Sequence, residues 1–334
     1  MISINTVPTC FHHPVKVVFL DDNRQFLDAL YLEFHPHINM LMFTDPDLLL
    51  QLIENDSQDM TQSIFKFVDD VNSDSISGRI INFNVSNIIN LLYDKRRFNN
   101  IAVLIVDYGM PDINGIEFCQ NLKDKKVFKI MLTAEADSNI AIKAFNDGLI
   151  NKFILKTTEH LHQEIILAVN ELTHNYFKEL SPNLVNRHDG HSHDLFEKTV
   201  FKELFTKVIS QSQAVEYYRV DNSGSFLFLD KDANPTWLLV KHNNALDEQL
   251  EMLQGYEVPE PIMASLYKKE KILFLLSEKE YEKPIEAWMK QIVDSKRLDD
   301  NYHYSIVNGQ LTDSIAWHNV ASYSAYIAEL NCVQ

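Results

Sequence analysis

The chain is short of several things, and each shortage excludes something. It has three cysteines, Cys10, Cys119 and Cys332, odd in number and far apart. That leaves no disulfide framework and no zinc-ligand spacing, and it suits a reducing cytoplasm. Eight glycines in 334 residues provide no Gly-rich phosphate loop. No apolar run approaches the roughly 18 residues that span a bilayer, so no membrane partner is expected. The opening MISINTVPTCFHHP lacks the basic start and apolar run of a signal peptide. Cations are scarce too: 30 Lys and Arg face 47 Asp and Glu, a formal net charge of −17. Acid exceeds base in both halves, which opposes nonspecific DNA binding, because that depends on cations neutralising phosphates. The short basic runs at 95–97, 123–126 and 268–271 read as solvated faces.

What remains is ordinary globular material, 46% hydrophobic and 23% charged, long enough for two domains. The first half alternates short apolar runs with amphipathic ones. The runs at 15–20, 38–43, 101–106, 128–133 and 152–155 read as strands. Between them, Asn23–Phe34 places Phe26, Leu27, Leu30 and Phe34 on one helical face, and Gly115–Leu122, Ile140–Phe145 and Leu161–Leu172 follow the same pattern. Such alternation predicts a doubly wound parallel sheet of five strands with helices on both faces.

One connection is too long. Far more chain separates Phe43 from Ile101 than one crossover helix needs. Asp47–Glu54, Met60–Val71 and Val85–Tyr93 read as three helices, with Ser86 as N-cap of the third and a loop at Ser73–Gly78. Residues 56–83 therefore read as a helical insertion, of a length that is usually functional or disordered; its aromatic and aliphatic content argues for a covered surface or a bound partner.

A helix beginning near Thr158 should run to Leu180, and Pro182 should stop it. Residues 181–194 read as a linker. Its His188, Asp189, His191, His193 and Asp194 could ligate a metal, but polar, Gly-containing chain without fixed geometry is the better reading. From 195 to 334 strands come in succession, near 215–220, 225–229, 236–241, 272–276 and 302–307. Helices are expected near 195–210, 245–253, 260–269, 281–294 and 314–330. This predicts a smaller α+β domain with an antiparallel sheet. Trp237, Trp288 and Trp317 read as core aromatics rather than as a ligand pocket. No helix-turn-helix pattern ends the chain, so direct DNA binding is not expected.

The chemistry gathers in the first half. Asp21 and Asp22 follow the first strand, Asp107 the third, Thr133 the fourth and Lys156 the fifth. In an open parallel sheet, loops at the carboxyl ends of the strands form the ligand crevice. Carboxylates held together repel one another unless a cation shares the site. A hard, oxygen-rich pocket suits Mg²⁺ with phosphate oxygens, and a carboxylate can act as a nucleophile towards phosphorus. A phosphatase built on LeuAspAsp would want a second Asp two residues after the nucleophile, but Asn23 and Arg24 follow Asp22.

FLDDN at 19–23, DYGMPDINGIE at 107–117, LTA at 132–134 and KFILK at 152–156 together resemble the signature of the receiver domain of two-component response regulators. The resemblance covers about 15–180, with the insertion, and leaves 1–14 as an extension. It implies a flavodoxin-like fold. It also implies that Asp107 is the phosphoacceptor and that Mg²⁺ is held by Asp22, Asp107 and the Gly109 backbone, with Asp21 acting through water. Thr133 and Lys156 would contact the phosphoryl group. Thr133 and Phe153 would form the switch pair, and Gly109 and Glu135 would tune phosphate lifetime. Where the family usually has proline after the lysine, this chain has Thr157; that alters the turn and leaves the chemistry in place. The implied partners are a sensor histidine kinase or phosphotransfer protein and a second copy of the chain. The whole architecture is similar to a quorum-sensing branch of the family whose output domain carries no DNA-binding motif. The alternative is an output domain that is an enzyme or nucleotide-binding unit under receiver control.

Overall fold

In a computed structural model, the residues described are 7–34, 38–55, 65–69, 79–83, 85–111, 113–122, 125–134, 138–181 and 192–333. Contacts divide the chain into two units. One holds 14–59 and 96–180; the other holds 4–13, 60–95 and 181–334. The N-terminal stretch and most of the expected insertion thus group with the C-terminal half, which makes the second unit the larger.

In chain order, β1 (Phe11–His12) belongs to the second unit. The first unit then begins with β2 (Lys16–Leu20), α1 (Arg24–Phe34), β3 (Met40–Phe43) and α2 (Pro46–Asn55). β4 (Phe65–Asp69), β5 (Arg79–Phe83) and α3 (Val85–Tyr93) return to the second. The first unit resumes with β6 (Ile101–Asp107), α4 (Gly115–Asn121), β7 (Phe128–Thr133), α5 (Ser138–Asn146), β8 (Lys152–Leu155) and α6 (Leu161–Leu180).

The first unit is a five-stranded sheet in the order β3-β2-β6-β7-β8, every pair parallel. β6 and β7 are buried at every position. Continuous apolar strands are what helices on both faces require. One core cluster joins Val18, Leu104 and Val106 of the sheet to Leu49, Phe118 and Ala144 of α2, α4 and α5. The helices are started by side chains. Asn23 Oδ1 accepts the Phe26 amide at 3.1 Å, Asp45 Oδ1 accepts those of Asp47 and Leu48, and Asn114 Oδ1 accepts those of Ile116 and Glu117. Each cap satisfies amides that a helix start leaves open.

The second unit adds α7 (Ser192–Glu197), α8 (Thr199–Ser212), β9 (Ala214–Arg219), β10 (Phe226–Asp230), β11 (Pro235–His242), α9 (Asn243–Leu253) and α10 (Glu260–Tyr267). β12 (Lys271–Leu273), α11 (Glu278–Tyr281), α12 (Ile285–Trp288), β13 (Ile292–Asp294), β14 (Lys296–Arg297), β15 (Tyr302–Asn308) and α13 (Tyr323–Val333) complete it. Its main sheet is antiparallel throughout, in the order β1-β9-β10-β11-β15-β14. Phe205 of α8 packs edge-on to Tyr217 and Phe226, at 5.1 and 5.0 Å. Trp237 and Trp288 are fully buried and Trp317 meets Trp237 edge-on, so the tryptophans are packing residues. α3 is tied in at its C-terminal end: the Leu92 carbonyl accepts the Ala321 amide at 3.0 Å, and the Tyr93 hydroxyl accepts the Ala316 amide at 2.6 Å.

Four local expectations are corrected. Within the expected helix Met60–Val71, residues 65–69 form a strand that pairs antiparallel with 79–83. The apolar spacing there fitted either structure, and the partner strand decides it. α3 starts at Val85, so Ser86 lies inside the helix. The expected helix 281–294 is broken at Pro284, which has no amide to donate, and residues 292–294 become β13. The last helix begins at Tyr323 rather than near Ser314. The stretch before it is held instead by Glu280, a fully buried carboxylate that accepts from the Leu276 amide and the Thr312 and Ser314 hydroxyls. The loop at 73–78 and His188, Asp189 and His191 lie outside the described residues.

Candidate functional site

The site is built by the carboxyl ends of β2, β6, β7 and β8. Asp21 and Asp22 leave β2, Asp107 closes β6, Thr133 closes β7, and Lys156 follows β8. Parallel pairing puts these ends side by side; Thr133 is opposite Leu155, and the Lys156 amide donates to the Thr133 carbonyl at 2.7 Å. Carboxylate oxygens of Asp21, Asp22 and Asp107 all lie within 4.8 Å of one another. Asp21 and Asp107 are buried, and Asp22 faces solvent.

A lysine holds the two buried acids together. Lys156 Nζ is 2.6 Å from Asp21 Oδ2 and 2.8 Å from Asp107 Oδ1. The free oxygens are also claimed: Asp21 Oδ1 accepts the Asn23 amide at 2.9 Å, and Asp107 Oδ2 accepts the Gly109 amide at 3.0 Å. Burial pushes the Asp21 carboxyl above its ordinary value, against the downward pull of the Lys156 and Asn23 hydrogen bonds. Burial works against the Lys156 charge as well, but the hydrogen bonds to Asp107 and Asp21 outweigh it and raise its pKa.

Backbone geometry keeps Asp107 in place. The Tyr108 amide donates to the Leu132 carbonyl and the Gly115 amide to the Tyr108 carbonyl, both at 3.0 Å. A Cβ on Gly115 would sit 2.3 Å from the Asp107 carbonyl oxygen and 2.9 Å from Met131 Sδ. Glycine is therefore the residue that lets α4 start directly against the end of β6. Phe153 is half-buried against the main core cluster, and Thr157 is exposed in the turn after Lys156. Glu135 lies outside the described residues.

This donor set fits a hard divalent cation. It offers only carboxylate oxygens and backbone, and one of its acids opens to water, where a Mg²⁺ ion would keep part of its hydration.

Residues 84–168 match the response regulator receiver domain. The first unit is a receiver domain. The match starts beyond the segment 60–83, which leaves the receiver for the second unit. The whole chain is similar to the Legionella pneumophila response regulator LqsR, with 28% identity, a TM-score of 0.74 and 96% of each chain covered. Two separate receiver domains also match: one of an HD domain-containing protein from Pseudomonas fluorescens Pf-5 (16% identity, TM-score 0.34, 53% of this chain and 97% of that one) and one from Methanospirillum hungatei JF-1 (17%, 0.33, 50% and 98%). No curated protein matches the chain. Among the described residues, no helix is long and apolar enough to cross a membrane.

Two residues at the receiver's site gave no warning in the sequence. Gly115 looked like one more helical residue. Phe26 looked like part of the core face of α1, yet it is half-buried with its ring centroid 4.6 Å from Lys156 Nζ.

Proposed function

We propose that this protein is a phosphorylation-activated response regulator whose phosphoacceptor is Asp107. The observation that carries the reading is Lys156 Nζ set between Asp21 and Asp107, with Asp22 beside them. An Asp107 carboxylate oxygen attacks the phosphorus of a phosphohistidine on a sensor kinase or phosphotransfer protein. The P–N bond breaks, its electron pair returns to the imidazole, and an acyl phosphate forms. Asp22, Asp107 and the Gly109 carbonyl would hold Mg²⁺, with Asp21 reaching it through water, and the ion would neutralise charge on the phosphoryl oxygens. Lys156 transfers one hydrogen bond to a phosphoryl oxygen, and the Thr133 hydroxyl donates another. Thr133 moves towards the phosphate and the half-buried Phe153 ring turns inwards. Gly109 and Glu135 set how long the acyl phosphate lasts.

The second unit carries the output, through dimerisation or protein contacts in the cytoplasm rather than direct DNA binding. The acid excess of the chain supports that choice. A role in quorum sensing rests on the resemblance to that branch of the family.

The test is incubation with acetyl phosphate and Mg²⁺, followed by intact mass and peptide mapping. The wild type gains one phosphoryl group on the peptide containing Asp107, and Asp107→Asn gains none. Equal labelling of the variant would overturn the assignment. Sedimentation with beryllofluoride, a phosphoryl mimic, tests the dimer.

A further inference from the structure

We infer that Phe26 is a positioning residue for Lys156: its ring steadies the ammonium between the two buried carboxylates and so sets the rate at which Asp107 is phosphorylated. The inference rests on the reading of Asp107 as phosphoacceptor.

Three observations carry it. First, the ammonium is 4.6 Å from the Phe26 ring centroid, within the range where a cation is attracted to an aromatic face. Second, the segment that carries the ring is stapled to the same acid that holds the lysine. The Asn23 amide donates to Asp21 Oδ1, the Asn23 side chain accepts the Phe26 amide, and Asp21 Oδ2 takes the lysine. Ring, acid and ammonium thus form one connected arrangement, and Phe26 stands in the first turn of α1, a fixed element. Third, Lys156 needs the help. It sits at the end of a flexible four-carbon stem, and its side chain is 18% exposed, so one side is open to water. Two carboxylates restrain two of its donors, and the aromatic face restrains the ammonium from another side.

The consequence is kinetic. In phosphoryl transfer, catalysis is mostly positioning and charge stabilisation. When phosphate arrives, the ammonium must leave a carboxylate for a phosphoryl oxygen without drifting into solvent. A ring beside it tolerates that small shift, because the attraction of a cation to an aromatic face depends less on direction than a hydrogen bond does. Loss of the ring should slow phosphorylation by about 3- to 30-fold, the range a cation–aromatic contact corresponds to.

The experiment measures phosphorylation of the full chain by acetyl phosphate with Mg²⁺, in which the P–O bond to acetate breaks, acetate leaves with the electron pair, and the Asp107 O–P bond forms. Phe26→Leu, Phe26→Tyr, Lys156→Met and the double variant Phe26→Leu/Lys156→Met are compared, with Asp107→Asn as control. Phe26→Leu should be several-fold slower, and Phe26→Tyr, which keeps the ring, should recover most of the rate. In the Lys156→Met background Phe26→Leu should have no further effect, because it acts through the lysine. A merely structural role would slow both backgrounds equally, and that result would overturn the inference. So would a Phe26→Leu variant as fast as the wild type. If Asp107→Asn is labelled like the wild type, the reading of the site fails instead.

Discussion

Lys156→Met is the perturbation that most directly tests how the site is held. Methionine keeps an unbranched apolar stem and removes the charge. Lys156 is 18% exposed, and its partners Asp21 and Asp107 are 2% and 8% exposed, so solvent screens the pair little. Removing one partner of a buried ion pair typically costs about 3–5 kcal/mol, because an uncompensated charge stays behind. Here two carboxylates remain, with Asp22 adding a third whose oxygen lies within 4.8 Å. Water at Asp22 and the readiness of Asp21 to take a proton favour the lower end, about 3 kcal/mol. For a unit of this size that is a fall in Tm of roughly 10 °C. The measurement is urea and thermal unfolding of the full chain at neutral pH with chelator. Two further signatures follow. Mg²⁺ should restore part of the loss, about 1.4 kcal/mol at a free concentration ten times its Kd, and stabilise the variant more than the wild type. The deficit should also shrink in acid, where neutral carboxyls need no cation. A loss under about 1 kcal/mol, or a deficit indifferent to both Mg²⁺ and acid, would refute the idea that the lysine acts as the resident counter-charge of the acids.

Gly115→Ala should destabilise the receiver by about 2–3 kcal/mol, since the new Cβ would meet backbone 2.3 Å away and backbone cannot swing aside; it should also slow labelling of Asp107, so a variant matching the wild type in both unfolding and labelling would be the contrary result. Glu280→Ala should cost about 3 kcal/mol or more by stranding the Leu276 amide and two hydroxyls, with faster amide exchange around 309–317 as its local mark. For pH, Asp21 has the less common sign. Its folded pKa lies above the ordinary 3.8, so the unfolded chain gives up the proton first, and the ionised group costs stability above that value. Asp21 protonates in the folded state while free carboxylates are still charged, and calorimetric Mg²⁺ affinity should accordingly begin to fall at a pH above 3.8. The Lys156 contribution runs the other way: it is fully present below the unfolded lysine value of 10.5 and is lost as pH rises through the raised folded value.

The receiver sheet was legible because two-sided burial writes an unbroken apolar run, as in IAVLIVD and FKIMLT, which little else explains. The acids and lysine of the site were legible for a related reason. Parallel strands deliver their carboxyl ends to one edge, so residues far apart in sequence could be brought together from strand order alone. Elsewhere the sequence carried a signal that could be read two ways. Ile64, Phe65, Val68 and Val71 fit a helical face, and only the antiparallel pairing of 65–69 with RIINF at 79–83 decides for strand. Pro284 did announce a break in 281–294, but its effect depends on which amide the fold needs there. Phe26 and Gly115 were opaque because their roles lie in distances to Lys156 and to the Asp107 carbonyl, which no local pattern encodes.

Among the described residues the chain alternates between its two units, changing at 13/14, between 55 and 65, at 95/96 and at 180/181. Most modular proteins can trade a domain by one recombination event in a linker. Here a single cut after 180 would strip β1 of β9, the strand it pairs with, and leave Ile88, Leu91 and Leu92 of α3 without the unit they group with. Among the described residues the second unit draws on three separate stretches of sequence and the first on two, so neither can be transferred whole by one exchange. Recombination at a single point would therefore always break one of the two units.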